Sequence, residues 1–119
     1  AVAVREKSSY RVTTGTRLAD GRDAQVLTVK LADADGKPVV GKGGDAFPSN
    51  VRVVAKDRAT NKSTDVVTFS QFTETSTKGT YTASLVSTQV GRFSVIASMN
   101  GSQLPTGPNS ALFAAPTSD

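Results

Sequence analysis

Residues 79–101 constrain this chain more than any other stretch. They read Gly79-Thr-Tyr-Thr-Ala-Ser-Leu-Val-Ser-Thr-Gln-Val-Gly-Arg-Phe-Ser-Val-Ile-Ala-Ser-Met-Asn-Gly101. Taken in steps of two, Tyr81, Ala83 and Leu85 share one side while Thr80, Thr82 and Ser84 share the other. After a break containing Gly91, the pattern resumes with Phe93, Val95, Ala97 and Met99 against Arg92, Ser94, Ile96 and Ser98. Side chains alternate across a strand, so this spacing predicts two β-strands that each bury one face. An amphipathic helix would need apolar residues three and four apart, and Thr and Ser are poor helix formers. A half-buried antiparallel sheet follows, not a βαβ unit.

The rest of the chain repeats the pattern in shorter pieces. Tyr10 to Leu18 is expected as a strand interrupted at Gly15, and Ala24 to Ala32 as a strong strand with Leu27, Val29 and Leu31 on one face. Val51 to Lys56 places Val51, Val53 and Ala55 inward, and Ser110 to Ala115 forms a short last strand. Thr64 to Thr73 also reads as a strand, but Val66, Val67, Phe69 and Phe72 do not fit one face, which points to a bulge or a partly covered outer face. Asp20-Gly21, Asp35-Gly36 and Asn100-Gly101 supply the left-handed geometry of tight reversals. Val39 to Asn50, rich in Gly, is a loop or a bulged strand end, and Ser102 to Asn109 is a loop. About seven or eight strands with reversals every 8–12 residues predict an all-β, antiparallel β-sandwich more than an open sheet. At 119 residues this is one domain. Its expected limits are 10–115, with 1–9 a lead or linker and 116–119 a stiff junction to a following module.

The missing residue types narrow the chemistry. There is no His and no Cys, which removes the commonest general base, thiolate catalysis and zinc-thiolate sites. No Gly-x-Ser-x-Gly elbow occurs. The chain is therefore expected to be non-enzymatic and without a cofactor. Asp33 and Asp35, with Asp23 or Asp45 nearby, have the oxygens for calcium, but the run lacks the later Glu of a calcium loop and reads as turn chemistry. Gly41-Lys-Gly-Gly44 resembles a phosphate-cradling loop, yet no Gly-Lys-Ser/Thr and no helix follow it.

The formal charge of +4 comes from bases dispersed along the chain among acids, which reads as a mixed solvated surface; the rival is a basic face for polyanions. Aromatics are not interleaved with the bases, so no nucleic-acid partner is expected. No run of about 18 apolar residues exists, so any membrane contact would come through another part of a precursor. Tyr81, at a strand start, is placed to tie down neighbouring backbone through its hydroxyl. The apolar loop anchors for a protein partner would be Phe47 with Pro48 and Leu104 with Pro105.

Leu18-Ala-Asp-Gly-Arg-Asp-Ala24, Leu27-Thr-Val-Lys-Leu-Ala-Asp-Ala-Asp-Gly-Lys-Pro-Val39, Gly79-Thr-Tyr-Thr-Ala-Ser-Leu-Val-Ser-Thr88, Gly91 and Val95-Ile-Ala-Ser-Met-Asn-Gly101 occur in a characteristic order. In that order and spacing the chain resembles a bacterial immunoglobulin-like (Big) group-one domain of the intimin/invasin family of outer-membrane adhesins, from about Tyr10 to Phe113. The inserted Gly41–Asn50 segment departs from the family pattern. The resemblance implies an extracellular rod segment on the bacterial surface, partnered by neighbouring immunoglobulin-like domains in tandem and presenting a distal host-binding tip. The alternative is a binding module in its own right, for a host-cell surface protein or an acidic glycan.

Overall fold

The computed structural model describes residues 3–13, 15–44, 47–48, 50–64, 66–107 and 109–115. Its strands are β1 (Ser9–Val12), β2 (Thr16–Leu18), β3 (Gln25–Lys30), β4 (Val51–Asp57), β5 (Lys62–Thr64), β6 (Val67–Phe69), β7 (Thr73–Glu74), β8 (Thr80–Ser87), β9 (Gly91–Met99), β10 (Ser102–Gln103) and β11 (Ser110–Ala114). One sheet runs β1-β3-β8-β6 with β7 also on β8; the other runs β2-β11-β9-β4-β5 with β10 also on β9. Every pairing between these strands is antiparallel except β2 on β11, and the isolated bridge Tyr10–Thr106 is also parallel. The inward rows of both sheets make a single core, in which Leu27, Val29, Leu31, Tyr81, Leu85, Phe93, Val95 and Phe113 are fully buried. Phe93 and Phe113 meet edge to face with ring centroids 6.2 Å apart, a favoured aromatic geometry. The expected sandwich is therefore present, and β8 and β9 alternate as their sequence requires. Val53, expected inward, is only partly buried against the core.

The strands outnumber the seven or eight expected because edge strands are broken and because Ser102–Gln103, expected within a loop, pairs with β9 as β10. The break at Gly15 (φ 110) is a change of sheet: β1 pairs with β3 in one layer and β2 with β11 in the other. The segment expected as one strand from Thr64 to Thr73 is corrected in the same way. Thr64 belongs to β5 and pairs with β4, whereas Val67–Phe69 and Thr73–Glu74 pair with β8. A bulge also lies between β6 and β7, where residues 70–72 oppose only residues 83–84. A strand that switches sheets and then bulges cannot keep one apolar period, which is why its four hydrophobic residues fit no single face.

Residues 3–8, expected as an extended lead, lie against the sandwich. Val4 N–H donates to the Ala32 carbonyl at 2.9 Å, a one-turn 3-10 helix spans Arg5–Lys7, and buried Ser8 accepts from Ala32 N–H at 3.2 Å while donating to the Val4 carbonyl. Between β10 and β11 the chain leaves the sheet edge and crosses to β1. There Tyr10 N–H donates to the Pro105 carbonyl and Gly107 N–H to the Tyr10 carbonyl. This segment covers part of an otherwise open strand edge.

Candidate functional site

The register of β9 fixes where the chain enters and leaves. Residues 3–6 share a surface depression with Met99, Asn100 and Ser102, at the end of β9. At its other end, Gly91 pairs with Phe113 just before the chain runs out of β11. Gly91 and Met99 stand roughly 26 Å apart at about 3.3 Å per residue, so entry and exit occupy opposite poles of a body whose long axis is 51 Å. The exit pole carries exposed aliphatic surface. Leu18 pairs with Ala114 on one side, and Val90 directly precedes Gly91, the partner of Phe113, on the other. Leu18 is 36% exposed and Val90 54% exposed.

The Gly41–Asn50 insertion is held at its start by polar ties. The Tyr81 hydroxyl, as expected from its position, donates to the Val39 carbonyl at 2.6 Å and accepts from Lys42 N–H at 3.1 Å. Burial pushes its phenol above the ordinary value, so it remains a donor at neutral pH. Glu74 accepts from Gly41 N–H at 3.0 Å and from Gly79 N–H at 3.2 Å, joining the insertion to the turn before β8. Phe47 stacks on Phe72 at 4.1 Å and meets Tyr81 edge-on at 5.8 Å.

These contacts decide what the sequence-predicted anchors can do. Phe47 is partly buried and spends a ring face on Phe72, and Pro48 is likewise partly buried, with its carbonyl accepting from Val51 N–H. Leu104 is a core residue, 2% exposed, so its side chain is closed to a partner; Pro105 beside it is exposed. Leu104 thus offers no exposed side chain to form a patch with Phe47. Pro108, in the same loop as Pro105, lies outside the described residues, as does the junction 116–119.

Two of the carboxylates weighed as calcium ligands, Asp33 and Asp23, accept backbone hydrogen bonds. Asp33 accepts from Asp35 N–H and Lys37 N–H, at 2.9 and 3.0 Å. Asp23 accepts from Leu18 N–H at 2.9 Å. Asp20 accepts from the N–H groups of Arg22 and Asp23, and those two bonds hold its carboxyl below the usual range. Among the described residues no cluster of three or more potential metal ligands occurs; Asp45 lies outside them. Gly44 N–H of the Gly-rich run donates to the Phe72 carbonyl at 2.6 Å, a structural use.

Among curated proteins no match is found. Among solved structures, invasin, a bacterial integrin-binding protein, superposes with a TM-score of 0.66 at 23% identity, over 97% of this chain and 20% of that one. The Yersinia pseudotuberculosis adhesin InvE gives 0.60 at 24% identity over 92% of this chain and 26% of its own. The Escherichia coli adhesin FdeC gives 0.63 at 18% identity over 97% and 32%. The chain thus spans between a fifth and a third of the length of each of these solved chains. These likenesses carry the fold. The sequence profile of the family described as "Invasin, domain 3" matches residues 5–115, nearly the whole chain. The chain belongs to the invasin domain 3 family of immunoglobulin-like domains.

Proposed function

We propose that this domain is a non-enzymatic rod segment of a bacterial surface adhesin, one link in a tandem array that holds a distal binding module away from the outer membrane. The observation that carries the reading is the placement of chain entry and exit at opposite ends of β9, which lets domains follow one another along a line. The exposed Leu18 and Val90 beside the exit supply apolar surface for the next module to cover, which stiffens the joint. Family membership and the greater length of the related structures, of which this chain covers a fifth to a third, support the same reading by association.

The anchors named for a dedicated receptor site are engaged within the domain, with Leu104 in the core and Phe47 stacked on Phe72. Tight protein recognition needs contiguous, well-packed apolar anchors. The isolated domain should therefore adhere weakly or not at all to host cells in a surface-binding assay. Sub-micromolar binding that Phe47→Ala abolishes would replace the rod reading with that of a receptor-binding module.

A further inference from the structure

Acids and bases occupy different places in this fold. Asp20, Asp23, Asp33, Asp57 and Glu74 all accept hydrogen bonds from backbone N–H groups in or beside turns. Among the described residues only one ion pair forms, Arg17 with Asp23 at 4.0 Å. Several of the bases dispersed in sequence, Arg11 and Lys30 among them, stand on strands without carboxylate partners, and register brings these two together. Ser9 pairs with Lys30, which pairs with Thr80; Arg11 pairs with Thr28 in the adjoining outward row. Arg11 and Lys30 are diagonal neighbours across the β1–β3 pair, about 7–8 Å apart at their strand positions.

These residues line a surface cavity of about 380 Å³, walled by Gly107 of the segment that crosses to β1. That is the size of a small-ligand site. No side-chain hydrogen bond or ion pair within the domain engages Arg11, Lys30, Ser9, Thr28 or Thr80 among the described residues. Their donors are free, and no acid is among the described residues that line the cavity. The Tyr10 ring beneath is only 2% exposed, so no aromatic platform faces outward for a base or sugar ring to stack on.

We propose that this cavity is a binding subsite for an acidic sugar unit of a surface glycan. The Arg11 guanidinium and Lys30 ammonium take the carboxylate or sulfate, and the Ser9, Thr28 and Thr80 hydroxyls meet sugar hydroxyls. A guanidinium matches either oxyanion with two parallel hydrogen bonds. Recognition by charge and hydroxyl groups without stacking gives weak, salt-sensitive single-site binding that repetition on a cell surface strengthens by avidity. The site is independent of the rod reading, because it needs no neighbouring domain.

The test is an amide-shift titration of the ¹⁵N-labelled chain at low ionic strength, with heparin hexasaccharide, hyaluronan hexasaccharide and neutral maltohexaose. Shifts should cluster at Arg11, Thr28, Lys30, Thr80 and Gly107 with an acidic sugar and be absent with maltohexaose. A response to heparin alone would assign sulfate as the anion, and a response to both would assign the carboxylate they share. Arg11→Gln and Lys30→Gln should each weaken binding about tenfold, as expected for loss of one charge-assisted contact, with melting temperatures unchanged. Arg52→Gln, on the opposite sheet, should leave affinity intact. The proposal is overturned if no acidic sugar binds, if shifts spread evenly over both sheets, if Arg52→Gln weakens binding as much as Arg11→Gln, or if a DNA oligonucleotide reproduces the same shifts.

Discussion

Two regions of this domain are held by different forces. At the centre, β3, β8 and β9 are ordered by burial: Leu27, Tyr81, Leu85, Phe93 and Val95 have no solvent exposure, and each fills space left by its neighbours. The insertion after Val39 has little regular structure, and its first residues are fastened by the Tyr81 hydroxyl and the Glu74 carboxylate. Tyr81 belongs to both regions, its ring in the core and its oxygen on the insertion. The contrast teaches that a long Gly-rich insertion is tolerated because a buried hydroxyl and a partly exposed carboxylate satisfy its backbone where it leaves the sandwich.

If burial orders the centre, Phe93→Ala should have the largest effect, a loss of about 3–5 kcal/mol through cavity formation in the core. Urea unfolding should show one transition at a lower midpoint. An effect below about 1 kcal/mol would mean that the centre does not depend on packing as described.

Gly79 sits at the seam between the two regions. Its φ is +77°, and an added Cβ would lie 2.5 Å from Pro38 Cβ and 3.0 Å from the Leu31 carbonyl oxygen. Gly79→Ala should cost about 2–4 kcal/mol through left-handed strain and overpacking. A near-neutral result would show that the Pro38 turn can retreat and is not locked against β8.

Tyr81→Phe sharpens the contrast most finely, because it keeps the ring and removes only the tie. Leaving the Val39 carbonyl and Lys42 N–H without that partner should cost about 1–3 kcal/mol. Hydrogen exchange should rise at residues 39–44 while β9 amides follow only the global loss. Equal local loosening across β8 and β9 would break the distinction between the regions.

Legibility in the sequence followed the same division. β3, β8 and β9 could be read because each stays in one sheet and buries one side, so residues 25–30, 80–87 and 91–99 keep a clean period of two. Tyr81 was readable from its place at a strand start. The edges were not, because their residues serve two layers: residues 62–74 change sheets and bulge, and Gly15 marks a crossing that a local pattern shows only as a break. Leu104, between polar and Pro-Gly residues, looks like a loop position, yet its N–H donates to the Ala97 carbonyl and its side chain enters the core. The one signal was its being the lone large apolar residue between Asn100 and Asn109. The Arg11–Lys30 pairing was hidden for another reason. Residues nineteen positions apart become neighbours only through a strand register that neither strand's sequence specifies alone.

The most direct test of the rod reading deletes residues 5–115 in frame from the full-length adhesin and measures two quantities on the purified ectodomain: its contour length by electron microscopy and its affinity for host cells. The rod reading predicts a shortening of a few tens of ångströms, up to the domain's 51 Å long axis, with affinity unchanged. An ectodomain that keeps its length but loses its affinity would contradict it.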